Sequence, residues 1–462
     1  MQIKERTVME KMSLAEIVSA VDGSFGYPSD ALVEEISTDT RCITQNSVFV
    51  ALKGDNFDGH DFAAKAMESG ALAVITERPV EGAKCIVVDS TAKALLDLAH
   101  YYRMKFDIPL VGITGSVGKT TTKDMIACVL ARKFKTLKTA GNHNNEVGMP
   151  KTLLELDSSY QAAVIEMGMN HAGEMSRLSC CSAPNVCVIT NIGVSHIENL
   201  GSQENILRAK LEILDGASPD APLILCRDDK FLSSVDMHGS RKIIYYSAKK
   251  KDCDIYAANV TAEDNCVKFT INYQGSKYPA TVNLLGLHNV KNALAAFAVG
   301  VTLGIDPEEC AAGIADFRPE GLRQNIRRQN GVTLIVDCYN AAPDSMKAAL
   351  SVLSDVNVPE GGRRFCVLAD MLELGKNART YHKNVGEYVA ASKADQLLCF
   401  GENSVFYIEG AVKKGFDESH CRHFGSREEL AAYLASQLAE NDAVLFKGSR
   451  GMKLEEVVDS LG

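Results

Sequence analysis

Residues 110–121 read Leu-Val-Gly-Ile-Thr-Gly-Ser-Val-Gly-Lys-Thr-Thr. A short apolar run ends in closely spaced glycines, and a helical pattern through Met125, Ile126 and Leu130 follows at once. Strand, glycine bend and helix in immediate succession belong to a layered α/β fold with a parallel sheet. Glycine lets the backbone curl until the N–H groups of Gly115, Ser116, Val117, Gly118, Lys119, Thr120 and Thr121 can face a phosphate, and the helix N-terminus adds partial positive charge. In such a loop Lys119 neutralises β/γ oxygens and the Thr120 hydroxyl holds Mg²⁺. The commonest spacing has glycine where Ile113 stands, whereas the glycines here are Gly112 and Gly115. A chance glycine-rich turn is the plainer alternative. The Gly-Lys-Thr triplet in a strand–helix context favours ATP or GTP.

The other strand-like runs organise the chain around that loop. At about 150 residues per domain, 462 residues make three domains. The expected division is 1–106, 107–317 and 318–462. The first is a compact α/β unit with strands near Ser47, Ala73 and Cys85 and a helix from Ala92 to Lys105; Asp107-Ile108-Pro109 then breaks the helix. The second has buried strands at Leu110–Thr114, Ala162–Glu166, Val186–Thr190 and Leu223–Cys226, which indicate a parallel, doubly covered sheet. Val267, Phe269, Ile271 and Tyr273 alternate with polar residues before Gln274-Gly275, so antiparallel strands are added to it. The third, with strands near Thr333, Phe365, Gln396 and Ala443, is a Rossmann-like α/β unit with a parallel sheet.

Composition narrows the partners. The hydrophobic fraction is 46% and the formal net charge −10, with no basic block to hold nucleic acid. Small anionic ligands in clefts are the natural partners of such a surface. The 14 cysteines are scattered, with only Cys180 and Cys181 adjacent, as expected of reduced thiols in a cytoplasmic protein. The charged start Met1 to Arg6 does not read as a signal peptide. No apolar run approaches the ~20 residues of a membrane span.

Four further places carry candidate chemistry. Glu166 ends an otherwise apolar strand, where a carboxylate could hold a hard cation or could be an ordinary solvated strand end. His196 follows a buried strand in the same way, although a lone histidine is more often structural. Lys210 lies in a helical stretch and by itself reads as a solvated helix face. Asn142, Asn144 and Asn145 belong to a glycine-bounded polar loop, either plain turn chemistry or a donor-rich substrate loop.

Together these segments resemble the Mur ligase family, which uses this variant of the phosphate loop. The likeness runs along essentially the whole chain. It is carried by Ser37-Thr-Asp-Thr-Arg41, Asp58-Gly-His-Asp-Phe62, Gly141-Asn-His-Asn-Asn145, Glu166-Met-Gly-Met-Asn170, Gly286-Leu-His-Asn-Val-Lys-Asn292, Asp337-Cys-Tyr-Asn-Ala-Ala-Pro343, Asp370-Met-Leu-Glu-Leu-Gly375 and Lys447-Gly-Ser-Arg450. Family members usually have Asp where Val336 stands and Asn where Ala342 stands. The last three segments are similar to the branch that adds D-alanyl-D-alanine to UDP-N-acetylmuramoyl-tripeptide, through an acyl phosphate and at the expense of ATP. The resemblance implies a UDP-sugar domain first, holding substrate with Thr38, Asp39 and Arg41. Asn142, Asn144, Asn145, Tyr339 and Asn340 are implied to contact substrate, and Asn289, Asn292, Arg323 and Asp337 to bind ATP beside the phosphate loop. Lys119, Glu166, His196 and Lys210 are the implied catalytic set. Thr120 and Glu166 hold Mg²⁺; His196 and Lys210 belong to a second metal site, with the lysine carbamylated as in the superfamily. The implied enzyme is a cytoplasmic monomer of peptidoglycan synthesis acting on two small substrates. A folylpolyglutamate-type ligase would place its phosphate loop near the N-terminus. A switch or motor ATPase would need no UDP-sugar domain, and a nucleotide-binding module without catalysis would not need Lys119, Thr120 and Glu166 together.

Overall fold

The computed structural model describes residues 9–54, 56–237, 239, 241–319 and 321–461; the charged start Met1 to Arg6 lies outside them. The chain forms two compact units, each discontinuous in sequence. One draws on residues 1–114, 133–187 and 211–222, the other on residues 115–132, 188–210 and 223–462.

In the first unit, β1 (Glu35–Ser37), β2 (Ser47–Val50), β3 (Ala71–Thr76) and β4 (Cys85–Val87) form a parallel four-stranded sheet in that order. The helix Thr91–Arg103 follows, capped by Ser90 Oγ accepting the Lys93 N–H at 3.3 Å. Its buried Leu95, Leu98, Ala99 and Tyr102 have the spacing of one helical face. It stops at Arg103, whose buried guanidinium donates to the carbonyls of Phe106 (2.6 Å) and Ile108 (3.0 Å) and so fixes the exit toward Pro109. Next come β5 (Leu110–Thr114), β6 (Thr136–Lys138) and β7 (Ala162–Glu166), parallel and ordered β6-β7-β5. Every residue of β5 and β7 is buried, as a parallel sheet covered on both faces requires. β8 (Val186–Ile189) is buried along its whole length too.

In the second unit, β9 (Leu223–Cys226), β10 (Ile243–Ser247) and β11 (Ile255–Glu263) are parallel; β12 (Cys266–Tyr273) and β13 (Ser276–Val282) continue antiparallel. The β12–β13 turn is Gln274-Gly275 with φ +48° and +78°, the left-handed pair of a tight hairpin. The helix Leu287–Thr302 is buried almost all round and approaches the helix Lys119–Leu130 closely: a Cβ on Gly300 would sit 2.6 Å from Val129 Cγ1.

The C-terminal sheet comprises β14 (Asn325–Gln329), β15 (Val332–Asp337), β16 (Arg364–Ala369), β17 (Gln396–Phe400), β18 (Cys421–Phe424) and β19 (Ala443–Lys447). Its order is β14-β15-β19-β16-β17-β18, all parallel except the β14–β15 hairpin. Ile335, Cys366, Leu368, Leu397 and Leu445 pack on one face; Leu334, Val336, Phe365, Val367, Val444 and Phe446 pack on the other, the period of two expected of strands. The fold is α/β as expected, with one antiparallel edge strand that a purely parallel reading of this part leaves out. Asp337, Asp370 and Lys447 stand at or just beyond the carboxyl ends of three adjacent strands, β15, β16 and β19, where open α/β sheets bind ligands.

Candidate active site

The glycine loop expected to bind phosphate leaves β5 and enters the helix Lys119–Leu130 through Gly118, at φ +80° in the left-handed region. Gly115 has φ +152°, and a Cβ there would lie 1.9 Å from Thr190 Oγ1; only glycine fits. The segment after β8 grips the loop. Ser116 N–H donates to Asn191 O at 3.1 Å, and Val117 N–H donates to Asn191 Oδ1 at 3.0 Å. Asn191 Nδ2 and Thr190 Oγ1 both donate to Val117 O at 2.8 Å, and Gly193 N–H donates to Ser116 Oγ at 2.8 Å. Lys119 Nζ donates to Gly115 O at 2.8 Å, folding its charge back over the loop. Thr120 is buried, and Thr122 bonds back to Gly118 O. Protein groups thus hold the loop in its curled form.

Lys210 is 2% exposed on the helix Gln203–Leu211, not on a solvated helix face. Burial drives its pKa well below that of an ordinary lysine, and the Lys119 charge adds to the effect. That shift favours the uncharged amine over the ammonium ion. His196 sits at φ +63° at the start of the short helix Ile197–Leu200, its Nδ1 3.4 Å from Glu373 Oε2. Glu373 also has a left-handed backbone, at φ +61°.

In the first unit Glu166 is 1% exposed, so it is not a solvated strand end. Its Oε1 accepts from Asn144 Nδ2 at 2.8 Å, and its backbone N–H donates to Thr139 Oγ1 at 2.9 Å. It lies in register with Ile113, two residues before Gly115. Asn145 does turn work: its Oδ1 accepts the N–H groups of Val147 (3.3 Å) and Gly148 (2.8 Å). Asn142 is exposed, and its carbonyl accepts the Asn144 N–H at 2.7 Å. Thr38 is half-buried. Asp39 receives Arg41 Nε at 2.9 Å and Nη2 at 2.6 Å, and this side-chain bonding lowers its pKa to about 2. The Arg41 side chain is 84% exposed, with its Nε and Nη2 edge closed on Asp39.

The remaining nucleotide candidates gather at the start of the C-terminal sheet. Asp337 Oδ2 accepts Lys447 Nζ at 2.8 Å, and Lys447 also donates to Asn340 O at 2.9 Å. Arg323 stacks 4.0 Å from the centre of the Tyr339 ring. Asn289 Nδ2 donates to Leu285 O (2.8 Å) and Gln324 Oε1 (2.7 Å), while Asn289 Oδ1 accepts from Asn292 Nδ2 (3.1 Å). The Asn289 carboxamide is thus engaged within the protein, and Asn292 Oδ1 lies 3.1 Å from where a Cβ on Gly118 would stand. Val336 is buried in the sheet core, and Ala342 precedes the helix Pro343–Asp355 with its N–H donated to Ser345 Oγ at 2.9 Å. These two departures from the family pattern are locally satisfied.

Sequence reasoning missed Asn191, His288 and Gln324, and gave Lys447 no role. His288 and Gln324 stood beside Asn289 and Arg323, already singled out, and Asn191 directly follows the strand expected at Val186–Thr190; the partners that give Asn191 and Gln324 their importance are far away in the chain. Among the described residues no three His, Cys, Asp or Glu side chains cluster as metal ligands. A hard cation such as Mg²⁺ draws largely on water and phosphate oxygens and needs no such cluster of protein ligands. Among the described residues no helix is long and apolar enough to cross a membrane.

Family models match in three consecutive stretches: Mur ligase family, catalytic domain, over 32–103; Mur ligase middle domain over 113–300; and Mur ligase, glutamate ligase domain, over 323–450. The UDP-N-acetylmuramoyl-tripeptide–D-alanyl-D-alanine ligase of Bacillus subtilis (strain 168) is 38% identical across 98% of this chain and 99% of its own length. The Escherichia coli (strain K12) ligase of the same name is 34% identical at 98% and 99% coverage. A crystal structure of MurF from Acinetobacter baumannii superposes with a TM-score of 0.91 at 30% identity, covering 98% of this chain and 99% of that one. MurF ligase from Thermotoga maritima in complex with ADP gives 0.83 at 27%, covering 92% and 96%. This chain belongs to the Mur ligase family, with UDP-N-acetylmuramoyl-tripeptide–D-alanyl-D-alanine ligases as its full-length relatives.

Proposed function

We propose that this chain is an ATP-dependent ligase that joins D-alanyl-D-alanine to UDP-N-acetylmuramoyl-tripeptide, giving the pentapeptide precursor of peptidoglycan, ADP and phosphate. The observation that carries the reading is the end-to-end likeness, at 38% identity, to the Bacillus subtilis ligase of that name. The pre-curled loop with Lys119 over it supports the ATP half of the reaction.

In the first step a carboxylate oxygen of the tripeptide attacks the γ-phosphorus, the bond from phosphorus to the ADP oxygen breaks, and an acyl phosphate forms. In the second, the dipeptide amine attacks the acyl carbon, a proton leaves the nitrogen, and the carbon–oxygen bond to phosphate breaks. Lys119 and the N–H groups of Gly115, Gly118, Thr120 and Thr121 neutralise charge on the transferring group, whereas the N–H groups of Ser116 and Val117, expected to face phosphate, are taken by Asn191 and hold the loop's shape. Mg²⁺, with Thr120 and Glu166 as its protein ligands, supplies further neutralisation when bound. Asn144 orients Glu166 for that role. His196 and a carbamylated Lys210 hold a second cation; the neutral amine that burial favours is the form a carbamate requires. Asn289, Asn292, Arg323 and Asp337 position ATP, the first two through the amide cluster they share. Thr38, Asp39 and Arg41 hold the UDP-sugar, and Asn142, Asn145, Tyr339 and Asn340 contact substrate. We assign 1–106 to the UDP-sugar, 107–317 to ATP and 318–462 to closing the ligation site. The enzyme works as a cytoplasmic monomer in cell-wall synthesis, and through it in cell shape and division.

The test is to supply tripeptide with heavy oxygen in its reacting carboxylate. Passage of one labelled oxygen into phosphate at each turnover is expected. Unlabelled phosphate would mean that ATP is split by water, and the ligase reading would fall.

A further inference from the structure

The chain enters the C-terminal sheet through Gln324, the residue before β14, at φ +47°, a backbone conformation that glutamine seldom adopts. Strained positions of this kind persist only where the surroundings over-determine them. Gln324 is 7% exposed, and each polar atom of its side chain is engaged. Oε1 accepts from Asn289 Nδ2 at 2.7 Å and lies 3.2 Å from His288 Nε2, while Nε2 donates to Leu285 O at 2.8 Å. His288 Nε2 also lies 3.1 Å from Asn289 Nδ2, and burial lowers the ring's pKa to about 4, so the ring joins this cluster without adding charge near neutral pH. On the other side, the Gln324 N–H donates to Asp337 Oδ1 at 3.3 Å, and the second oxygen of Asp337 takes Lys447. The preceding residue is Arg323, stacked on Tyr339. One residue therefore ties the amide pair of the helix Leu287–Thr302 to Asp337 and Arg323.

We infer that Gln324 is a positioning residue for ATP: its carboxamide clamp sets where Arg323 and Asp337 stand relative to Asn289 and Asn292. The inference rests on the nucleotide roles proposed above for those four residues. A side chain that merely filled space would need neither two-sided hydrogen bonding nor a left-handed backbone; leucine would fill a similar volume.

The experiment compares the full-length protein with its Gln324→Leu and Gln324→Asn variants. Calorimetry measures binding of a non-hydrolysable ATP analogue, thermal unfolding measures stability, and steady-state assays give KM for ATP and for D-alanyl-D-alanine. Loss of the clamp should weaken analogue binding and raise KM for ATP by roughly tenfold in Gln324→Leu, with KM for the dipeptide unchanged. Gln324→Asn, which tolerates the backbone but is one methylene too short to span both partners, should show the same effect in smaller degree. Unchanged analogue binding alongside a lowered Tm would make Gln324 an ordinary core contact and overturn the inference; if Gln324→Leu does not fold, Gln324→Asn decides. A wild-type protein that binds the analogue but does not ligate would sink the proposed reaction and leave the clamp standing.

Discussion

Asn191 holds both sides of one peptide residue: its Oδ1 accepts the Val117 N–H at 3.0 Å and its Nδ2 donates to Val117 O at 2.8 Å. One carboxamide thus does for the phosphate loop what a neighbouring strand does for an extended segment. Asn191→Leu removes both bonds while keeping volume. It should raise KM for ATP by about tenfold, with little change in KM for the other substrates, as initial rates at varied ATP would report.

Gly115 admits no side chain. Its φ of +152° and the 1.9 Å approach of a Cβ to Thr190 Oγ1 mean that Gly115→Ala must reopen the loop. ATP affinity should fall by at least about a hundredfold. Gly26→Ala, where a Cβ meets nothing within 4 Å, is the control that should leave binding intact, both read by equilibrium titration with nucleotide.

Lys210 tests the second cation site. If its amine is carbamylated, Lys210→Ala should cost about a hundredfold or more in kcat. Lys210→Glu, which keeps a carboxylate-like end, should retain more activity than Lys210→Ala. Stripping carbon dioxide from the buffer should slow the wild type and bicarbonate should restore it. Equal losses in both variants, and indifference to bicarbonate, would argue for a plain amine.

The fold was legible wherever burial wrote itself into composition. β7 and β9 were readable as apolar runs at their true limits, and the β12–β13 hairpin from alternation before Gln274-Gly275. β14 reads Asn-Ile-Arg-Arg-Gln and looks like a loop because an edge strand needs only one buried face; its Asn330-Gly331 turn, with φ +50° and +79°, was the available signal. Lys210 shows the opposite failure. Its helix reads as solvated because charge is normally exposed, and only tertiary packing shows that this amine is enclosed. The strand, glycine bend and helix around Gly115 were legible, whereas the grip of Asn191 on that bend depends on a contact across 74 residues of chain.

His288 gives the structure a pH signature. Its pKa falls from 6.5 to about 4 in the folded protein, chiefly through burial, opposed by Asp337 and the Gln324 hydrogen bond. Between those values the unfolded chain binds the extra proton, so its contribution to stability is full above pH 6.5 and is lost as pH falls toward about 4. His288→Asn should flatten the fall in Tm over that window relative to the wild type. Parallel curves for the two proteins would show that His288 does not drive it.

The most direct measurement is phosphate release from ATP and Mg²⁺ with UDP-N-acetylmuramoyl-tripeptide and D-alanyl-D-alanine supplied singly and together. The account predicts sustained release only with both, together with a product whose mass is that of the pentapeptide. Release that ignores the two substrates, with no pentapeptide formed, would contradict it.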